Sequence, residues 1–109
     1  MAPLSTSPKL RLSRLRNIGW SLWDPIGLLG PGQRWDEDNA QDFADEYDIY
    51  LIEVAGLLLR ETLDQDVVER LVRIETDHMG LALQPDTYER ARPTVAAIKM
   101  DSDLWSHSE

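Results

Sequence analysis

Glu75 and His78 stand three positions apart, the spacing at which a helix offers a carboxylate and an imidazole to iron, manganese or zinc. Bundles that hold two such ions use this motif twice and add a glutamate from each of two other helices. The second histidine, His107, has no acid three positions before it. The set is incomplete, so His78 is expected to pack on the apolar row it interrupts, and no metal or other cofactor is expected. The acid pairs Asp42/Glu46 and Asp45/Asp48 could share a proton or a divalent ion. On the first turns of a helix they read instead as solvated surface charge.

Other chemistry finds less support. Gly27, Gly30 and Gly32 mimic a phosphate cradle. Such a cradle follows a strand and brings a Lys or Ser/Thr to the phosphate. Here a basic helical segment precedes, Pro31 removes a donor, and acids follow, so a structural turn is expected. Ser, His and Asp are present without any spacing that groups them, and there is no cysteine nucleophile. The chain is therefore expected not to be an enzyme. Lys9, Arg11, Arg14 and Arg16 could form a weak phosphate-binding strip, but the body of the chain opposes nucleic acid.

That opposition is electrostatic. Residues 1–23 hold those four bases and no acid, whereas residues 24–109 hold 20 acids against 7 bases, a charge of −13. From Trp35 to Leu59 there is no base at all. A field of this sign repels nucleic acid and membrane surfaces and attracts basic proteins. The four bases are expected to pair with the acids at 36–48 and tie the first helix to the second.

With 109 residues the chain can build one modest core. No apolar run approaches the roughly 20 residues that span a bilayer, and the N-terminus lacks the pattern of a secretory signal. A cytoplasmic protein is the expectation. Four helices must position the groups above. Ser7-Pro8 opens the first, with Leu12, Leu15, Ile18, Gly19, Leu22 and Trp23 on one face, and Asp24-Pro25 ends it. The second runs from a cap at Asp38 or Asn39 to about Arg60. Its inward face holds Ala40, Phe43, Ala44, Tyr47, Tyr50, Leu51 and Val54, and Ile49, Ile52, Gly56 and Leu59 form a second, opposite stripe, which makes this helix central in the bundle first and exposed for a partner second. A third starts near Asp64 and stops at Gly80, and a fourth spans Thr87 to about Met100 despite Pro93. The expected architecture is all-α, a single-domain bundle of about four helices over 1–100. A Gly/Pro-rich loop joins helices 1 and 2, and residues 101–109 form a flexible acidic tail.

The segments LWDPIG (22–27), DEYDIYLIEVAGLLL (45–59) and LVRIETDHMGL (71–81) together resemble a group of small uncharacterised bacterial all-helical proteins. In these a W-D-P-[IF]-G turn precedes an acidic, tyrosine-bearing helix. The resemblance covers about residues 12–100, although loop 30–39 is longer and more acidic here. It implies a small helical cytoplasmic protein with no assigned activity and, for some of the type, an immunity partner of a toxin. The turn Trp23, Asp24, Pro25 and Gly27 is then structural.

Two functional expectations follow. One is a protein that binds a basic partner, as an immunity protein neutralises a toxin or nuclease, with a nucleic-acid mimic as its close variant. Its face would be Asp36, Glu37, Asp38, Asp42, Asp45, Glu46 and Asp48, with Tyr47 or Ile49 as apolar anchor. The other is a helical adaptor that forms a homodimer through Ile49, Ile52 and Leu59.

Overall fold

A computed structural model of the chain describes residues 8–107. Four helices form the bundle: α1 (Leu12–Leu22), α2 (Asp48–Leu59), α3 (Asp64–Arg73) and α4 (Thr87–Met100). Two short strands, β1 (Pro8–Leu10) and β2 (Trp105–His107), flank them and pair antiparallel, with Lys9 opposite Ser106. Each helix packs on its neighbours in the chain and α4 closes back onto α1, so the core lies on the common axis. Leu15, Trp20, Trp23, Tyr47, Leu51, Val54, Val67, Leu71, Ile74, Val95, Ile98 and Leu104 fill it.

Local chemistry explains most of the boundaries. α3 carries Asp64 and Asp66 in its first turn and Arg70 and Arg73 in its last, as the helix dipole favours. Gly80 follows with φ of 70°, a left-handed conformation that ends the segment. Pro93 sits inside α4 without ending it. The carbonyl of Arg90 there accepts a hydrogen bond from Thr94 Oγ1 at 2.7 Å. α1 and α2 meet closely because Gly19 is buried against Leu51, where a Cβ would overlap the leucine's Cδ1.

Four sequence expectations need correction. α1 begins at Leu12, not at Ser7-Pro8, because residues 8–10 are drawn into pairing with β2; Ser7 lies outside the described residues. α2 begins at Asp48 with Tyr47 in the cap position, and not from a cap at Asp38 or Asn39. Residues 38–47 are instead a 3-10 turn (Asp38–Ala40) and a run of tight turns, in which Ala40, Phe43 and Glu46 each donate to the carbonyl three residues back. Aspartates 38, 42 and 45 are poor in helix interiors, where their side chains compete for backbone groups.

The third correction concerns the tail. Residues 101–107 fold back: Leu104 is fully buried, its carbonyl accepts from Arg11 N–H at 2.8 Å, and β2 completes the ribbon. Ser108 and Glu109 lie outside the described residues. The fourth is His78, which is exposed, not packed on the apolar row. Ile74–His78 is a π-helical turn, sealed by Met79 N–H donating to Ile74 O at 3.0 Å. Ile74 and Glu75 keep the inward phase of Val67, Val68, Leu71 and Val72 and are buried, whereas the extra residue turns His78 outward and lets Met79 take the place it would have had.

Candidate binding surface

The acidic segment 36–48 is held from beneath by aromatic residues. Trp20 on α1 lies 5.6 Å from the Phe43 ring and 4.6 Å from the Tyr47 ring, and its indole N–H donates to the carbonyl of Ala44 at 3.2 Å. Trp35 anchors the start of the segment. Its indole donates to Asn17 Oδ1 at 2.7 Å, and the Arg16 guanidinium stands 5.4 Å over its ring. Ala40 and Ala44 are buried between these points. The turns are thus fixed to α1 even though they are not a helix.

The preceding corner is organised by one carboxylate. Asp24 follows Trp23 with φ of 29° and accepts the N–H groups of Gly27, Leu28 and Leu29 at 3.0–3.2 Å. It also accepts the Tyr47 hydroxyl at 2.8 Å. Gly27 has φ of 75°, which lets the chain curl around the side chain. Burial, and then the Asp24 carboxylate, push the Tyr47 phenol well above its ordinary value. Tyr47 is fully buried, so the sequence-based choice of Tyr47 as a surface anchor is corrected: the ring belongs to the core. An Asp ahead of a proline in a Gly-rich corner was a legible signal for this side-chain turn.

The remaining surface residues differ in how free their charge is. Asp48 receives Arg16 in a bidentate pair at 2.9 and 2.5 Å. Asp36 receives Arg34, whose guanidinium holds the carboxyl below its usual range, and Glu37 accepts the Arg34 N–H at 2.8 Å. Asp38, Asp42, Asp45 and Glu46 are exposed and take no salt bridge among the described residues. Ile49, 70 % exposed, follows them in the chain, and Ile52 and Leu59 are exposed further along α2, so the expectation of a central α2 covered on both sides is corrected: the second stripe lies on the surface. Of the four bases at 9–16, Arg16 reaches the segment, whereas Arg14 pairs with Asp101 at 2.9 Å.

Glu75 and His78 do not converge. Glu75 is 1 % exposed; its Oε1 accepts from Trp23 Nε1 at 3.2 Å, and Arg90 binds both its oxygens at 3.1 and 2.8 Å. His78 faces out, its ring 6.2 Å from that of Tyr50. Among the described residues no group of three or more His, Cys, Asp or Glu side chains could hold a metal ion, and no helix is long and apolar enough to cross a membrane. Sequence reasoning missed the Glu75–Arg90 pair although the spacing carried a signal: Glu75 stands three, four and seven residues after Val72, Leu71 and Val68, on the inward face of α3. What the surface offers is a segment pinned to α1 that bears four exposed carboxylates outside any salt bridge among the described residues, followed by an exposed isoleucine. No family model matches this chain, and no curated protein or solved structure matches it either.

Proposed function

We propose that the chain is a non-enzymatic protein that binds a basic protein partner through the strip Asp38, Asp42, Asp45 and Glu46, with Ile49 as the apolar anchor. One observation carries this reading. The four exposed carboxylates take no salt bridge among the described residues, while the segment bearing them is fixed by Trp20 and Trp35. Charge on a rigid support steers a basic partner and sets its register, and an apolar anchor at the rim supplies affinity on contact. Neutralisation of a basic toxin or nuclease, in the manner of an immunity protein, is the form of this activity that the sequence resemblance favours.

The test compares the intact protein with the variant Asp38→Asn/Asp42→Asn/Asp45→Asn in capture from a lysate of its own source, eluted by a salt step. One basic polypeptide should be retained stoichiometrically, released as salt rises, and lost from the variant. Equal retention by both proteins, or no basic polypeptide on either, would overturn the reading.

A further inference from the structure

Gly56 lies in the middle of α2 and nothing inside the chain calls for a glycine there. Its φ is not positive, unlike that of Gly27, Gly32 and Gly80. A Cβ at this position would meet only Arg60 Nη1, at 4.0 Å, the far end of an exposed side chain. Gly19 is the contrast, since Leu51 occupies the space its side chain would need. A mid-helix glycine is about 1 kcal/mol less favourable than alanine. It leaves a notch in the helix surface that internal packing does not use.

The notch sits in an apolar stripe. Ile49, Ile52, Gly56 and Leu59 fall within an arc of about 80° on an α-helix, and the three large residues are 70 %, 43 % and 46 % exposed. The stripe is self-complementary in one orientation. A second copy laid antiparallel across a two-fold axis sets Ile52 over Gly56 of the other copy, and does so twice. The same axis sets Ile49 against Leu59, also twice. The ends agree in charge. Arg60, just beyond the C-terminus of α2, is exposed and takes no salt bridge among the described residues. In the antiparallel pair it stands level with Asp48 of the other copy, within a turn of Asp45 and Glu46, which precede the other α2. A parallel pair would set those acids against themselves.

We infer that the exposed face of α2 is a two-fold interface for a second copy of this chain, with Ile52 of each copy seated in the Gly56 notch of the other. The seam shares Asp45, Glu46 and Ile49 with the acidic strip, so a second copy and a basic partner compete for those residues, while Asp38 and Asp42 lie outside it. The dimer goes beyond the acidic-strip reading, and the experiment below tells the two apart. Isologous contact of this kind is the commonest route to a symmetric pair. One helix face of about 18 Å makes a small interface, so the dimer dissociates on dilution.

Sedimentation equilibrium of the intact chain, over about 1 to about 500 µM, spans the range in which so small an interface associates. The mass should rise from the 12.5 kDa monomer towards twice that value. High salt should leave most of the association intact, because the seam is apolar. Ile52→Asp should keep the protein monomeric throughout, and Gly56→Leu should weaken association by about tenfold or more. Gly56→Ala separates interface from fold: it should raise the melting temperature of dilute protein and weaken the dimer. A monomer at every concentration overturns the inference. So does a dimer that Ile52→Asp and Gly56→Leu leave unchanged, since the interface would then lie elsewhere. Capture of a basic protein by a strictly monomeric chain would sink the dimer and leave the acidic strip standing.

Discussion

The indole N–H of Trp23 donates to Oε1 of Glu75 at 3.2 Å, joining the end of α1 to the π turn after α3. Arg90 on α4 completes the contact with two bonds to the same carboxylate. Three elements distant in sequence therefore share one buried acid. A buried carboxylate is tolerated only when its charge and lone pairs are met, and here they are: among the described residues no buried side-chain nitrogen or oxygen lacks a partner.

Arg90→Met leaves Glu75 enclosed with only the indole to answer its charge. Loss of one member of a buried pair destabilises by about 3–5 kcal/mol. The double variant Glu75→Leu/Arg90→Met should recover most of that loss, because no charge is then left in the core. Urea unfolding of the three proteins decides it. If the double variant is as weak as the single, the pair itself supplies stability and not merely mutual neutralisation.

Gly19→Ala should destabilise even though alanine is the better helix former. The added Cβ meets Leu51, so α1 and α2 must separate or Leu51 must leave its rotamer, at about 1–3 kcal/mol. Leu51→Ala in the same chain should relieve part of the strain, giving favourable coupling in a double-mutant cycle. Additive effects would show that the two residues do not oppose each other.

Leu104 tests how the end of the chain contributes. It is fully buried and its backbone carbonyl binds Arg11. Leu104→Ala should cost about 2–5 kcal/mol, as for any core leucine. A thermal melt unchanged by this substitution would mean that the 101–107 segment does not belong to the cooperative unit.

Periodicity carried the fold where the period was regular. The all-α bundle was legible, and α4 spans the range expected from Thr87 to Met100 because Tyr88, Ala91, Val95 and Ile98 keep one phase. It failed where the backbone changed step. The π turn at 74–78 shifts the phase by one residue, which exposes His78, and no residue type announces that shift. Ala40, Ala44 and Tyr47 are buried at a nearly helical spacing while the chain between them is a series of tight turns. Burial alone could not tell these apart from a helix. Leu104 looked like part of a polar tail because its partners, β1 and Arg11, lie at the other end of the sequence. Within the candidate surface the acids were legible, but which of them Arg16 and Arg34 would occupy depended on packing.

The ion pair between Arg14 and Asp101 gives a pH dependence of definite sign. Asp101 accepts Arg14 Nη2 at 2.9 Å and Nε at 3.0 Å, and the backbone N–H of Asp103 at 3.0 Å. The Arg14 guanidinium first, and the Asp103 N–H after it, hold this carboxyl below its ordinary value. In the unfolded chain it titrates near about 3.9. Its contribution to stability is therefore fully present above that value and disappears as pH falls through the lower folded-state value. Glu53, lowered by Arg70, follows the same sign, so total stability cannot isolate the pair. The difference between the natural protein and Asp101→Asn can, because Glu53 is common to both. Unfolding free energies of the two should differ by a constant amount from about pH 6 to about pH 8, and converge as pH falls below about 4. A gap that stays open at the acid end would mean that Asp101 acts through neutral hydrogen bonds or packing that asparagine does not reproduce, and not through its charge.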